Sequence, residues 1–331
     1  MLRTGAIVFH DYHPEAADFR REVLEGLCAS PKRLSPKFFY DKRGSEIFDA
    51  ICELPEYYPT RTEIAILEAA SAEIAELLGE DCLLIEYGSG SSRKIRILLD
   101  ALAGEATYVA IDISREHLLE AASELADDYP DLEVIAVCAD YSKPFPLPQP
   151  SRRRVGNRVV FFPGSTIGNF TPEQAAAFLR TTARQVGPGG SMLIGVDLKK
   201  EERILNSAYN DSGQVTAAFN LNLLERINRE LDADFDVASF EHRAHYNAEA
   251  GRVEMHLVSR CAQSVRLDGH VIPFAEGETI HTENSYKFSV EEFSCLAQRS
   301  GFGVTRVWTD PDELFSLQYL TVPEGIANRV S

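Results

Sequence analysis

A regular alternation of short apolar runs with longer amphipathic stretches, between residues 82 and 198, constrains the fold of this chain most strongly. The apolar runs are typical of buried strands, and the stretches between them carry apolar residues at helical spacing. Strands that alternate with helices in this way predict a parallel, doubly wound α/β sheet with helices on both faces. The predicted strands cover residues 82–88, 106–113, 132–140, 158–165 and 190–198.

The alternation stops after the fifth predicted strand. Residues 200–231 have a helical pattern, and residues 240–286 contain short alternating segments with an Asp-Gly turn, which predicts an antiparallel meander. A further helix and two strands, at 304–310 and 314–322, then complete a seven-stranded sheet. We therefore expect a second α+β lobe that is inserted between strands five and six.

The same pattern defines two predicted domains, with the N-terminal segment joined to the inserted lobe. The predicted core spans residues 61–199 plus 287–331, and the predicted second lobe spans residues 8–60 plus 200–286. A chain of 331 residues is long enough for both, since single hydrophobic cores stop growing at about 250–300 residues.

The composition restricts the partners and the compartment. The formal net charge is −18, and a net-acidic surface repels phosphate backbones and anionic membranes, so we expect neither nucleic-acid nor membrane partners. The six cysteines show no CxxC pairing, which is typical of a reducing compartment. There is no signal-peptide pattern and no apolar run of about 18 residues, so we expect a cytoplasmic protein.

A glycine-containing turn at residues 86–93 follows the first predicted strand and precedes a predicted helix. Gly88 and Gly90 allow the backbone to approach a ligand, with the helix N-terminus behind them. The dinucleotide fingerprint has a third glycine where this sequence has Arg93, so the turn argues against a nicotinamide enzyme. Because ligands bind at the carboxyl ends of parallel strands, we expect this turn in a cofactor site.

Acidic or small residues also end the next three predicted strands. Asp112 is placed to bind the ribose hydroxyls of a nucleoside, and Asp140 is placed to accept a hydrogen bond from an adenine amino group. The turn from Gly164 to Thr166 follows the fourth strand. With no phosphate-binding lysine loop, this set fits adenosine without phosphates, as in S-adenosylmethionine; the alternative is that the aspartates are helix caps. The strand order resembles the seven-stranded class I methyltransferase fold.

Several long and unusual segments resemble the family of L-histidine Nα-methyltransferases of ergothioneine biosynthesis. They are PEYYPTRTE (55–63), EYGSGSSRK (86–94), GSTIGNFTP (164–172), VTAAFN (215–220) and TENSYKF (282–288). The likeness runs in register from about residue 15 to the C-terminus. It implies that S-adenosylmethionine is the methyl donor, that L-histidine is the small-molecule substrate, and that the second lobe binds this substrate.

The resemblance implies a set of cofactor-binding residues. In this sequence they are Gly88, Lys94, Asp112, Asp140, Tyr141, Gly164 and Thr166. In the family the two glycines contribute backbone contacts, the lysine binds the methionine carboxylate, and the first aspartate binds the ribose. The second aspartate and the residue after it lie at the adenine. The family commonly has phenylalanine where this chain has Tyr141, whose ring should keep the same contact.

The resemblance also implies a substrate site. Its members here are Tyr40, Tyr57, Asn169, Tyr209, Met255, Glu283 and Ser285. In the family the residues that correspond to Asn169 and Tyr209 hold the substrate carboxylate. Those that correspond to Glu283 and Ser285 bind the imidazole, and the methionine lines the pocket. Tyr40 and Tyr57 lie by the amino group and are the predicted catalytic residues.

Part of this site can be argued from the residues themselves. Glu283 and Ser285 alternate on a predicted strand, so both side chains would point to one face. A carboxylate and a hydroxyl suit a neutral imidazole, which has one donor and one acceptor. The alternatives are that the glutamate is a solvated surface residue and that the Tyr57-Tyr58 pair is core packing.

The predicted reaction aligns a neutral amine with a methyl group that is already electrophilic. An α-amino group has a pKa of about 8, so we expect activity to rise with pH through that region, with the proton passing to water or to a tyrosine hydroxyl. We expect three transfers that give the betaine hercynine, because tyrosine faces tolerate a growing cation. No metal is expected, since His242 and His245 would point to opposite faces of a strand and lack cysteine or aspartate partners.

Other functions stay open at this point. One is an N-methyltransferase for another amino acid such as tryptophan, although a carboxylate gains less from facing indole than from facing imidazole. Another is a non-catalytic S-adenosylmethionine-binding protein. A dehydrogenase is disfavoured by the missing third glycine. We expect the protein to be a monomer.

Overall fold

The chain forms two compact units in a computed structural model that describes residues 7–12, 16–90, 92–102, 106–143, 145–151 and 155–325. The core unit contains the described residues of Met1–His13, Pro59–Lys199 and Lys287–Ser331. The second unit contains those of Pro14–Tyr58 and Lys200–Tyr286.

The strands follow one another along both units. In chain order they are β1 (Val8–Tyr12), β2 (Lys32–Arg33), β3 (Leu83–Tyr87), β4 (Thr107–Asp112), β5 (Glu133–Ala139), β6 (Arg158–Phe162), β7 (Ser191–Asp197), β8 (Phe240–Asn247), β9 (Arg252–Ser259), β10 (Gln263–Leu267), β11 (His270–Phe274), β12 (Thr279–Tyr286), β13 (Gly303–Thr309) and β14 (Phe315–Thr321).

The α-helices are α1 (Ala16–Cys28), α2 (Lys42–Cys52), α3 (Tyr58–Leu78), α4 (Arg93–Ala101), α5 (Arg115–Asp128), α6 (Pro172–Val186), α7 (Glu202–Tyr209), α8 (Val215–Leu231) and α9 (Val290–Arg299). Short 3-10 helices cover Pro36–Phe39, Thr166–Asn169 and Val237–Ser239.

The core unit is built on an eight-stranded sheet in the order β1-β5-β4-β3-β6-β7-β14-β13. The strands from β1 to β7 in this order pair in parallel, whereas β14 pairs antiparallel with β7 and with β13. Every residue of β3 and β7 is buried, because helices cover both faces of the sheet. The seven predicted strands are therefore confirmed, and so is the class I methyltransferase order.

Neighbouring residues of each central strand pack into different apolar layers. Leu84 belongs to a cluster with residues of α3, α4 and α5, whereas Ile85 belongs to a cluster with residues of α6 and α9. Two layers of helices thus enclose the sheet, as the alternation of the sequence predicts.

The eighth strand, β1, corrects the prediction of a seven-stranded sheet. It pairs in parallel with β5, from Val8 opposite Ile135 to Tyr12 opposite Ala139, so residues 8–12 lie in the core unit and not in the second lobe. Val8 and Tyr12 are both more than 40% exposed, at 44% and 41%. An edge strand of this kind buries too few side chains to give the apolar pattern on which the prediction depends.

The second unit contains a four-stranded sheet in the order β2-β12-β9-β8, together with helices α1, α2, α7 and α8. Aromatic side chains join its elements, as in the contact of Phe39 with Phe219, whose ring centroids lie 4.6 Å apart. The predicted meander is correct for β8, β9 and β12. The strands between them, β10 and β11, form a separate two-stranded hairpin that turns at Asp268 and Gly269.

Candidate functional site

The predicted cofactor residues meet at one edge of the core sheet. Gly88, Asp112, Asp140 and Gly164 end or directly follow β3, β4, β5 and β6, which are neighbours in the order β5-β4-β3-β6. Carboxyl ends of adjacent parallel strands lie at the same edge, and the direction of winding reverses between β3 and β6. We call this set of strand ends, with the turns that follow them, the cofactor edge.

The first turn of the cofactor edge depends on Gly88, whose φ of 76° lies in the left-handed region. Its N–H donates to the carbonyl of Ile111 at 2.8 Å, which ties the turn to β4. The ring of His117 adds a second tie, since its Nε2 lies 2.7 Å from the carbonyl of Gly90. His117 was not predicted, and its position in the middle of a helical pattern gave no signal.

The two aspartates of the edge each brace a local turn. Oδ1 of Asp112 accepts from the N–H of Ser114 at 2.8 Å, and Oδ1 of Asp140 accepts from the N–H of Ser142 at 3.0 Å. Neither bond is a helix cap, since Ser114 is the N-cap of α5 and Asp140 is followed by a turn; both are turns that an aspartate makes with the backbone two residues further on. A carboxylate has two oxygens, so bracing a turn does not prevent either residue from contacting a ligand.

A buried carboxylate, Glu63 of α3, joins two predicted cofactor residues. Its Oε2 accepts from Nζ of Lys94 at 2.5 Å and from the N–H of Gly164 at 2.8 Å. A Cβ on Gly195 of β7 would lie 2.1 Å from its Oε1, so this strand position has room only for glycine. Glu63 lies in one of the segments that carry the family resemblance, but no feature of the sequence singles it out.

A second buried carboxyl group, that of Glu86, lies near the end of β3, close to Glu63 and Lys94. Its Oε2 accepts from the hydroxyl of Tyr108 at 2.5 Å. Burial raises the pKa of Glu86 to about 8, the Tyr108 hydrogen bond and the charge of Lys94 oppose that rise, and Asp112 adds to it. Glu86 is therefore mostly protonated near neutral pH, and Glu63 is paired with Lys94, so neither group adds net negative charge to the edge.

Tyr141 and Thr166 complete the edge. The ring of Tyr141 lies among aromatic side chains, with ring centroids 5.5 Å from Tyr87 and 5.9 Å from Phe162. Burial raises the pKa of Tyr141, so its hydroxyl stays protonated. Thr166 begins a 3-10 helix and donates its hydroxyl hydrogen to the carbonyl of Pro163 at 2.9 Å.

In the second unit, a bulge in β12 sets the direction of the predicted substrate residues. His281 pairs with His256 of β9, whereas Glu283 pairs with Met255, so the pairing shifts by one residue at Thr282. Residues directly opposite each other share a face. The bulge therefore turns Glu283 to the face of Met255, away from His281.

Ser285 lies on the same face as Glu283, because it pairs with Val253, two residues from Met255. The prediction that the glutamate and the serine share a face is thus confirmed. The hydroxyl of Thr282 donates to the carbonyl of Met255 at 3.1 Å and holds the bulge in place.

The predicted tyrosines of the second unit form a connected set around this face. The hydroxyl of Tyr209 donates to Oγ of Ser285 at 2.7 Å, and the ring of Tyr57 lies edge-on to that of Tyr209 at 6.3 Å. Phe48 contacts both Tyr57 and Tyr40 edge-on, at 6.3 and 5.7 Å. Burial, followed by the proximity of Tyr209, raises the pKa of Tyr57 well above its usual value.

The remaining predicted substrate residue, Asn169, belongs to the core unit. It ends the 3-10 helix Thr166–Asn169, directly before the capping box that opens α6 at Thr171. The other six predicted substrate residues belong to the second unit.

The histidines of β8 lie as expected from their spacing. His242 points to the face of Leu257, where its Nε2 lies 2.9 Å from the carbonyl of Tyr209 and its Nδ1 lies 2.9 Å from the amide of Asn220. His245 is opposite Glu254 and therefore lies on the other face.

The fold and the cofactor edge define the class of this protein as an S-adenosylmethionine-dependent methyltransferase. A profile of the family described as "Histidine-specific methyltransferase, SAM-dependent" matches residues 19–322. The chain belongs to this family, and the match includes all predicted site residues.

Individual relatives extend over almost the same length. The chain is 46% identical over 309 residues to histidine N-alpha-methyltransferase of Mycolicibacterium smegmatis, covering 91% of this chain and 94% of that protein. It is 43% identical over 304 residues to histidine N-alpha-methyltransferase of Mycobacterium tuberculosis, covering 90% and 93%. It is 30% identical over 292 residues to ergothioneine biosynthesis protein 1 of Neurospora crassa, covering 86% of this chain and 32% of that protein.

Proposed function

We propose that this enzyme transfers methyl groups from S-adenosylmethionine to the α-amino nitrogen of L-histidine, three times in succession, to give hercynine in ergothioneine biosynthesis. The observation that carries the proposal is the bulge in β12, which turns Glu283 and Ser285 to one buried face beside Tyr209 and Tyr57. The identity of 46% to a histidine N-alpha-methyltransferase over nearly the whole of both chains supports it.

The cofactor edge supports the proposed donor. S-adenosylmethionine, when bound, supplies a methyl group on a positively charged sulfur. Asp112 binds the ribose hydroxyls, Asp140 and the ring of Tyr141 contact the adenine, and the backbone at the two glycine turns approaches the rest. Lys94 binds the methionine carboxylate while Glu63 fixes the direction of its ammonium group.

The substrate residues match the two ends of histidine. Glu283 accepts a hydrogen bond from the imidazole N–H, and Ser285, whose hydroxyl oxygen accepts from Tyr209, donates to the other imidazole nitrogen. Tyr209 holds the carboxylate, for which its hydroxyl hydrogen turns away from Ser285, and Met255 lines the pocket. A site built this way leaves buried polar groups unpaired with indole, so we expect strong discrimination against tryptophan.

The amine must be neutral when it attacks. Because the pKa of Tyr57 is raised well above its usual value, its phenol stays protonated and is a poor general base. Tyr57 instead orients the amine through its hydroxyl oxygen, with Tyr40 nearby, and water takes the proton. The aromatic faces of these tyrosines tolerate the positive charge that grows with each methyl group.

Mass spectrometry of the purified protein with S-adenosylmethionine and each amino acid in turn tests the proposal. Gains of one, two and three methyl groups on histidine alone are expected. Gains on another amino acid would overturn the substrate assignment, and a product that stops at one methyl group would overturn the threefold transfer. No gain on any amino acid, with cofactor still bound, would favour a binding protein.

The adjacent residues Glu283 and Asn284 offer a matched pair of variants, since they point to opposite faces of β12. Calorimetry should show histidine binding at least tenfold weaker in Glu283→Ala, with cofactor affinity unchanged, and little change in Asn284→Ala. Equal losses for both ligands in Glu283→Ala would mean that the glutamate is structural.

We also propose that the enzyme works in the cytoplasm as a monomer. No helix within the described part of the chain is long and apolar enough to cross a membrane. All six cysteines are free thiols, which fits a reducing compartment. Analytical ultracentrifugation that gave a dimer mass would contradict the monomer.

A further inference from the structure

The face of the second unit's sheet opposite to Met255 and Glu283 carries a group of side chains that the proposed reaction does not use. His245 of β8 pairs directly with Glu254 of β9, and His256 lies two residues further along β9 on the same face. We call these three residues the histidine face. Their ligand atoms, one from each side chain, all lie within 4.8 Å of one another.

We propose that His245, Glu254 and His256 bind a divalent transition-metal ion of the zinc class. Two imidazole nitrogens and one carboxylate oxygen form a donor set that Zn²⁺ uses in proteins, with water in the fourth position. The ligands come from two strands, so the spacing of histidines along one strand could not reveal them.

The two oxygens of the Glu254 carboxylate have different partners. Its Oε1 accepts from Arg252, at 2.8 Å from Nε and 2.7 Å from Nη2, and from the amide of Asn247 at 3.1 Å. Its Oε2 faces the imidazoles, at 3.1 Å from Nε2 of His256 and 3.9 Å from Nε2 of His245. Contacts that fix one oxygen and direct the other at the ion are the usual second layer of a metal site.

These distances need little adjustment to accept an ion. Ligands about 2.1 Å from Zn²⁺ lie about 3.4 Å apart in tetrahedral geometry, so the pair of Glu254 and His256 is nearly in place. His245 has 49% of its side chain exposed and can rotate to close the longer distance, whereas that of His256 is only 14% exposed. The exposed side of His245 also gives water and the ion access.

The ring of His256 is held between two other imidazole rings before any ion binds. His245 stacks on His256 with centroids 5.6 Å apart and an angle of 19°, and His256 stacks on His281 at 4.7 Å and 22°. His281 itself is tied to the carbonyl of Glu283 through Nε2, at 3.0 Å, so it supports the group from behind. Prearranged rings reduce the ordering cost of binding.

The two neighbouring arginines are each paired with a carboxylate, one of them that of Glu254 itself. Arg252 bonds to Oε1 of Glu254 and to the hydroxyl of Tyr286, and Arg243, opposite His256, pairs with Glu241 at 3.2 Å.

Calorimetric titration of the tag-free full chain with ZnCl₂, after treatment with a chelator, tests the proposal. We expect one ion per chain, a higher midpoint of thermal unfolding with the ion bound, and an affinity at least tenfold lower in His245→Ala and His256→Ala. His270→Ala is the matched control, since this histidine lies exposed on the β10–β11 hairpin of the same unit, and it should bind as the unchanged protein does.

Substitution with Co²⁺ gives an independent readout, because a tetrahedral site with nitrogen and oxygen ligands produces visible absorption bands that free aqueous Co²⁺ lacks. Unchanged zinc affinity in both ligand variants, or an equal loss in the His270→Ala control, would overturn the proposal. If His256→Ala does not fold, the half-exposed His245→Ala still decides the outcome.

Discussion

Glu63 shows how one side chain can organise several parts of the cofactor edge. It is fully buried, and it accepts from both the Lys94 ammonium and the Gly164 N–H. Charges at such depth persist only when they are paired and hydrogen-bonded. The fixed ammonium group of Lys94 then stands ready for a carboxylate of the cofactor.

Replacing Glu63 by glutamine should be costly for this reason. Glu63→Gln leaves the Lys94 ammonium without its partner, and breaking a buried pair costs about 3–5 kcal/mol of unfolding free energy. We also expect cofactor affinity to fall at least tenfold. Urea unfolding and calorimetry of Glu63→Gln, Lys94→Met and the double variant measure both effects. Additive losses in the double variant would contradict a direct pairing.

The pKa of Glu86 predicts a specific dependence of stability on pH. In the folded protein burial raises this pKa from about 4.5 to about 8, so the folded state keeps a proton that the unfolded chain has lost. The stabilisation from this proton is complete below the unfolded pKa and is lost as pH rises through about 8, at about 1.4 kcal/mol per unit of pKa difference.

Glu86→Gln removes this titration. Relative to the unchanged protein, the variant should therefore gain unfolding free energy between about pH 5 and about pH 8, with no further gain above about pH 9. Urea unfolding of both proteins across this range is the measurement. A difference that stays constant over the range would show that Glu86 is ionised in the folded state.

Tyr57 should influence the rate of methyl transfer but not its pH profile. Because the phenol remains protonated, kcat/KM should rise through the pKa of the substrate amine in both the unchanged enzyme and Tyr57→Phe. The variant should have a lower plateau, since it cannot orient the amine. Tyr12→Phe, at an exposed position, is the control. An inflection that moves when the hydroxyl is removed would identify Tyr57 as the base.

Much of the site could be predicted at this scale, and the exceptions have a physical cause. Asp112 and Asp140 were found because strand ends in a parallel sheet define where ligands bind. The partners of Glu63 are 31 and 101 residues away in the chain, at Lys94 and Gly164. A pairing over such distances leaves no local pattern, and a glutamate in a helix is ordinarily a surface residue.

At the scale of elements, β12 owes its function to one extra residue. A strand with strict alternation would place His281 and Glu283 on the same face. The bulge at Thr282 separates them. Glu283 therefore lies on the face of the proposed imidazole site, and His281 lies on the opposite face, beside His256. The alternation of Glu283 with Ser285 was predictable because both residues follow the bulge, whereas the bulge itself had no sequence signal.

Deleting Thr282 tests this arrangement. The shortened strand keeps His281 opposite His256 and Glu283 opposite Met255 in regular alternation, so both side chains keep their faces, and we expect histidine affinity close to that of the unchanged protein. Thr282→Ser keeps the bulge and its hydroxyl, and it should bind histidine normally. A loss of histidine binding after the deletion, with cofactor binding unchanged, would show that the geometry of the bulge is needed as well as the face on which Glu283 lies.

For the whole molecule, the alternation between residues 82 and 198 was enough to predict the centre of the main sheet, because its five strands, β3 to β7, are almost fully buried. The edge strand β1 could not be predicted in the same way. It precedes the residues matched by the family, 19–322, and leaves Val8 and Tyr12 partly exposed. Its stability comes from backbone pairing with β5, which composition does not report.

Removing residues 1–13 should therefore affect the core sheet. The truncation leaves β5 as an unpaired edge, and we expect a lower midpoint of thermal unfolding and light scattering that increases with protein concentration. The variant with Val8→Thr and Tyr12→Thr keeps the backbone pairing and should behave almost like the unchanged chain. A truncated protein with an unchanged midpoint and no scattering would contradict a structural role for β1.

The pairing of β2 with β12 also fixes the order in which the protein can assemble during synthesis. Lys32 lies opposite Ile280, so β2 is synthesised almost 250 residues before the strand with which it pairs. At about 5–20 residues per second, the ribosome needs on the order of tens of seconds to produce that strand. The first segment of the second unit therefore lacks its sheet partner during this interval, and we expect neither segment of that unit to reach its full structure when it is expressed alone.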